Sequence, residues 1–172
     1  MTPQYILDFL REREGFRNKV YNDTRGFLTV GLGHKLDRQE RNHYGIGTTI
    51  SDAQLQTWAQ ADSERAYNAA VAQCAELRVD DSEFLKVLTS VNFQLGTGWS
   101  SGFAATWTML LNHEWEQAAA NLSHSLWAKQ TPIRTKDFQG AILALEKAGT
   151  DETTAPAPIA TESSTETQQN AN

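Results

Sequence analysis

The reading of this chain turns on Glu14-Gly15-Phe16-Arg17-Asn18-Lys19-Val20-Tyr21-Asn22-Asp23-Thr24-Arg25-Gly26-Phe27-Leu28-Thr29-Val30-Gly31-Leu32-Gly33-His34. Its apolar and β-favouring residues, Phe16, Val20, Tyr21, Phe27, Leu28, Val30 and Leu32, are broken once, by the turn formers Asn22-Asp23-Thr24-Arg25-Gly26. The pattern predicts a β-hairpin with a polar turn. Gly31-Leu32-Gly33 predicts a tight bend after it. Upstream, residues 2–13 read as a helix: Thr2 can cap it, Pro3 fits its first turn, and Ile6, Leu7, Phe9 and Leu10 form its apolar face. Gly15 stops it. Residues 44–50 read as a short third strand.

Beyond Ser51 the pattern becomes helical. Ser51-x-x-Gln54 is a capping-box spacing, and residues 61–77, rich in Ala, Glu and Gln, read as one long helix able to link two lobes. Asp81 or Ser82 starts another helix through about Leu95, with further helices at 103–112, 114–125 and 132–148. Thr131-Pro132 reads as an N-cap with a first-turn proline, and Gly149 as a C-cap. Residues 150–172 are Thr, Glu, Ala, Ser, Pro, Gln and Asn with one Asp and one Ile, the composition of a flexible acidic tail. The fold class is therefore α+β: a small lobe with a short antiparallel sheet, a long connecting helix and a larger all-helical lobe, together residues 1–149.

Composition sets the outer limits. At 172 residues and 40% hydrophobic, the chain is long enough for one real core or two small lobes. The single cysteine, Cys74, cannot form an internal bridge. A net charge of -6 argues against a general nucleic-acid binder. The charge is uneven: residues 1–41 hold eight bases and six acids, whereas residues 52–83 hold seven acids and only Arg65 and Arg78. No run approaches the roughly 18 apolar residues of a membrane span, and no basic start followed by an apolar run marks a signal peptide. These features predict a chain held in the cytosol without stable membrane insertion.

Glu14, Asp23 and Thr29 draw attention together. A helix end followed by a hairpin can bring two carboxyls and a hydroxyl to one cleft edge. Such a set suits glycoside hydrolysis, where one acid protonates the leaving oxygen and the other manages a water or a cationic sugar. The acid must hold its proton near neutral pH, which partial burial or a neighbouring negative charge secures. Each residue also has an ordinary use: Glu14 in Arg11-Glu12-Arg13-Glu14 as a surface ion pair, Asp23 as a turn former, Thr29 as a strand former.

The wider string resembles the phage-type lysozymes of the T-even kind, whose pattern runs Glu-Gly, a Tyr-x-Asp turn, then Thr-x-Gly-x-Gly-His. The resemblance continues in Asn92-Phe93-Gln94-Leu95-Gly96, Asn121-Leu122, Trp127 and Gln130-Thr131-Pro132-x-Arg134, and covers roughly residues 3–140. It implies a lysozyme-like fold and an inverting muramidase acting on bacterial peptidoglycan, with Glu14 as general acid, Asp23 orienting or activating water and Thr29 helping to hold it. It implies no metal or organic cofactor, and a monomer. Phe93, Asn121, Thr106 and Gln94 align with sugar-binding positions. Lys35 stands where the family often has an apolar residue, and its ammonium suits a muramyl carboxylate. Gly31, Gly33 and His34 are structural motif residues, with His34 hydrogen-bonding a carboxylate near the hinge. Trp127 matches a buried position, and Trp58, Trp99, Trp107 and Trp115 read as core. A phage endolysin would wait in the host cytoplasm for a holin-type membrane protein to open access to the periplasmic wall. A virion-associated lysozyme, a lytic transglycosylase and a non-catalytic wall-binding module are the competing roles.

Overall fold

The computed structural model describes residues 1–153. Expectations for the tail beyond Thr153 lie outside the described residues. Helix α1 (Gln4–Glu14) begins after Pro3, whose fixed φ suits a helix start, and ends at Gly15, which takes φ 71. Thr2 does not cap it. Its N–H donates to the Gln60 side chain, its carbonyl accepts from that same amide, and its hydroxyl accepts from Ser63. The residue predicted to start a helix instead ties the N-terminus to a distant one.

Strands β1 (Arg17–Asn22), β2 (Leu28–Gly31) and β3 (His34–Lys35) form an antiparallel sheet in that order. Tyr21 pairs with Thr29, and the register slips between Arg17 and Tyr21. The third strand is thus not 44–50 but His34–Lys35, paired through Thr29 with Lys35 and Val30 with His34. Residues 47–50 run along the free edge of β1 and form only an isolated bridge, Lys19 with Thr49. Gly31 explains the choice. It takes φ 64 in a tight turn closed by the Gly33 N–H on the Val30 carbonyl, sending the chain straight back along β2.

A short helix, α2 (Glu40–His43), precedes α3 (Asp52–Leu77), which is capped by the Ser51 hydroxyl on the Gln54 N–H. Helix α3 is a single rod of 26 residues, longer than the predicted 61–77. It threads all the apolar clusters. Leu55 and Trp58 pack with Val20, Val30 and Leu36 beneath the sheet. Ala59 packs with Ile6, Leu10 and Leu32. Ala70, Cys74 and Leu77 enter the large helical core.

That core is built by α4 (Ser82–Leu95), α5 (Trp99–Gly102), α6 (Ala104–Leu111), α7 (Trp115–Leu122), α8 (Leu126–Gln130) and α9 (Pro132–Thr153). Asp81 caps α4 through the Phe84 N–H. Trp99, Trp127 and Phe138 meet edge to face in its centre, as core residues and not as a platform. Gly149 does not end the last helix, which continues to Thr153; glycine weakens a helix without forbidding it. Between α3 and α4, Gln73 and Asn92 exchange side-chain amide hydrogen bonds in both directions, at 3.2 and 2.7 Å. Trp99 Nε1 also donates to the Gln73 carbonyl oxygen.

Candidate active site

Glu14 is the last residue of α1, and Arg134 in the first turn of α9 reaches it. The guanidinium donates to Glu14 Oε1 at 2.6 Å and to the Arg13 carbonyl at 2.7 Å. Both side chains are mostly buried, Arg134 12% and Glu14 19% exposed. A planar guanidinium holding a carboxyl and the adjacent carbonyl fixes the direction of that carboxyl. Neighbouring Arg13 is engaged elsewhere, with Glu12 and Asp137. Arg134 was visible in the sequence only as one letter of a family block, since its partner lies 120 residues away. The proline that places it at the start of α9 was the available signal.

Asp23 serves the turn and retains a free oxygen. Its Oδ1 accepts the backbone N–H groups of Arg25 and Phe27 at 2.9 and 2.8 Å. Oδ2 faces the Lys35 ammonium at 4.0 Å, too long for a hydrogen bond. The Phe27 N–H chiefly, helped by that of Arg25 and the nearby charges of Lys35 and Arg25, holds this carboxyl below the usual aspartate range, outweighing desolvation, which acts the other way. Thr29 is 3% exposed, and its hydroxyl donates to the Phe27 carbonyl, which also accepts the Asp23 N–H. Strand pairing sets Lys35 opposite Thr29. Asp23, Thr29 and Lys35 are thereby gathered around one hairpin.

A cleft of about 440 Å³ opens beside them, lined among others by Gly33, His34, Lys35, Asp62, Arg65 and Phe93. Glu14, Asp23 and Thr29 are not among its lining residues; Lys35 joins the cleft to the hairpin site. Phe93 supplies an aromatic face, and Lys35 lies over the Phe27 ring. His34 meets its predicted carboxylate twice over: Nδ1 lies 2.8 Å from Asp62 and Nε2 3.1 Å from Glu40, and the ring stacks on Trp58. Burial of the imidazole disfavours its charge, but the bonds and charges of Asp62, then Glu40, outweigh it and raise the pKa.

The remaining sugar-binding candidates sit on the helical side. Asn121 donates to the Thr106 hydroxyl at 2.9 Å. Thr106 is 0% exposed and has no surface for a sugar, so its part is to hold Asn121, whose side-chain oxygen Oδ1 accepts no bond among the described residues. Gln94 accepts from Trp127 Nε1 at 3.0 Å, bracing the core end of α4. Neither Gln94 nor Asn121 lines the cleft.

A fixed carboxyl on a helix end, an ionised one in a turn and a groove with an aromatic wall are the parts of a glycoside hydrolase. Comparison with known proteins agrees. The phage lysozyme family model matches residues 11–142, and the chain belongs to that family. The peptidoglycan hydrolase gp36 of Pseudomonas phage phiKMV is 32% identical over 141 residues, 80% of this chain but 15% of that protein. The probable T4-type lysozyme 2 of Dictyostelium discoideum is 26% identical over 151 residues, 76% of this chain and 88% of that one. The pre-baseplate central spike protein Gp5 of Enterobacteria phage T4 is 27% identical over 157 residues, 80% of this chain. The chain spans 27% of that spike protein's length.

Proposed function

We propose that this chain is a muramidase that hydrolyses the β-1,4 bond between N-acetylmuramic acid and N-acetylglucosamine in peptidoglycan. The observation that carries the reading is that each carboxyl has one oxygen committed to the scaffold and one left free. Guanidinium is donor-only, so when Glu14 is protonated its proton sits on Oε2, away from Arg134. That proton passes to the leaving glycosidic oxygen. Asp23 Oδ2, its partner oxygen saturated by backbone, accepts a proton from a water. The Thr29 hydroxyl gives its hydrogen to the Phe27 carbonyl, so its lone pairs accept a hydrogen bond from the other O–H of that water, whose hydrogen stays on the new hydroxyl. The water oxygen then faces the anomeric carbon opposite Glu14, and the configuration inverts.

Mass spectrometry of digested sacculi tests this. Hydrolysis leaves reducing muramic ends, and lytic transglycosylation leaves 1,6-anhydro ends. Glu14→Gln is expected to abolish release while keeping the fold. Equal clearing of chloroform-treated Gram-negative cells by wild type and Glu14→Gln would instead indicate a non-catalytic wall-binding module.

For the biological role, an endolysin held in the host cytoplasm until a holin-type partner opens the membrane is the first reading. The similarity to a baseplate spike protein favours a second, a virion-associated lysozyme used in entry. Co-purification with particles, against appearance only at lysis, separates them.

A further inference from the structure

We propose that Lys35 and Arg65 make the cleft a reader of substrate carboxylates, selecting acidic muramyl glycan over neutral glycan of the same backbone. The proposal rests on the muramidase reading and goes beyond it by assigning what the groove recognises. Lys35 lines the cleft from β3 and Arg65 from α3.

Charge bookkeeping in the cleft favours an anion. Asp62 also lines it, three residues before Arg65 on the same helix, a spacing at which an acid and a base commonly pair. Here Asp62 is taken by His34 at 2.8 Å, and Arg65 makes no ion pair among the described residues. Lys35 is 53% exposed and has Asp23 at 4.0 Å as its sole acidic neighbour within ion-pair range among the described residues. Its ammonium nitrogen lies over the Phe27 ring, 4.7 Å from the centroid. Two cations therefore face one groove with their donors unsaturated, and Phe93 lies in the same lining to pack against a pyranose.

Position gives each a partner. Lys35 stands 4.0 Å from Asp23, the group proposed to act at the anomeric carbon of the muramyl residue, so its ammonium is within reach of that sugar's substituents. Arg65, on the opposite element, suits a second carboxylate with its planar fork. The carboxylates come either from the lactyl group itself or from the stem peptide attached to it. A plain N-acetylglucosamine polymer carries neither.

Three glycan strands of matched length separate the cases: peptide-bearing strands, amidase-stripped strands with free lactyl carboxylates, and stripped strands whose carboxylates have been converted to amides. Binding is measured on the Glu14→Gln background, and cleavage on otherwise wild-type protein. Acidic strands are expected to bind about tenfold tighter than the amidated strand, the effect of one charge-assisted hydrogen bond. Lys35→Met with Arg65→Gln should abolish that preference, so that acidic and amidated strands bind alike. Lys35→Arg should retain it, and melting temperatures confirm that the variants fold. Preference kept by the stripped strand assigns the lactyl carboxylate; preference shown only by the peptide-bearing strand assigns the stem. Equal binding of acidic and amidated strands, or an equal loss on all three in the double variant, overturns the proposal. Reducing ends released by wild type, read separately, decide the muramidase reading independently of this preference.

Discussion

Replacing Gln73 by leucine should destabilise the protein more than replacing Asn92, and the two effects should not add. Gln73 is the hub of a buried polar set. It bonds Asn92 in both directions, accepts from Trp99 Nε1 at 3.3 Å, and donates to the Thr97 carbonyl at 3.4 Å. Gln73→Leu strands Asn92 Oδ1 and Trp99 Nε1 in the interior, while the Thr97 carbonyl lies on an exposed residue and can take water. At about 1–3 kcal/mol for each stranded group, less a little for the added apolar burial, the loss is about 3 kcal/mol. Asn92→Leu leaves Gln73 with Trp99 and Thr97 still in reach, and costs about 1–2 kcal/mol. The double variant strands only Trp99 Nε1, so it should recover about 1–2 kcal/mol relative to the sum of the singles. Urea unfolding at unchanged m reads these differences. In a heat scan Gln73→Leu should melt about 6–12 °C lower, taking about 2–4 °C per kcal/mol for a chain of this size. Strict additivity, or a larger loss from Asn92→Leu, would refute the view of Gln73 as the hub.

Arg134→Met should lower kcat by about a hundredfold with KM little changed, because it releases the direction of the Glu14 carboxyl and not the substrate; Arg134→Lys, a point charge, should restore only part, as steady-state kinetics on soluble glycan would show. His34 has a folded pKa raised above its unfolded value, so its contribution to stability is complete below about pH 6.5 and is lost as pH rises through the folded value. Melting temperature against pH should fall across that range in wild type, and the fall should flatten in His34→Gln. The Asp23 carboxyl should titrate below the ordinary aspartate range by carbon NMR and shift upward in Lys35→Met, which removes one of the cations favouring its charge.

What could be seen in advance was what lies close along the chain. The hairpin, its turn and the Ser51 and Asp81 caps each depend on neighbours within a few residues, and each formed where residue types placed it. Glu14, Asp23 and Thr29 were singled out through a linear motif. The misses are long-range. Thr2 has ideal capping chemistry, but Gln60 and Ser63 compete for it from a distant helix and win. A strand of two residues cannot announce itself by alternation, and β3 exists because Gly31 turns the chain back onto β2. Residues 44–50, expected as a third strand, do bring 47–50 to the edge of β1, but only through scattered bonds. The Arg134 clamp and the Gln73–Asn92 pair join elements that no local pattern links. Thr106 was expected to bind sugar, and only packing shows that it is inside, bonded to Asn121.

Asp23 shows why the ordinary and the catalytic reading of one residue need not compete. Its Oδ1 closes the turn with two backbone N–H bonds, and its Oδ2 is left for chemistry. Asparagine can reproduce the first and not the second, because its carbonyl oxygen still accepts both amides while its NH2 cannot accept a proton. Asp23→Asn should therefore keep most of the native melting temperature and lose activity, whereas Asp23→Ala should lose activity and also loosen the hairpin. Amide exchange at Arg25 and Phe27 reads the turn directly: protection should persist in Asp23→Asn and fall in Asp23→Ala. If both variants lose protection equally, the turn depends on the negative charge and not on the geometry of one oxygen. If Asp23→Asn remains fully active, Oδ2 takes no part in handling water, and the division of the carboxylate into a structural and a chemical half is wrong.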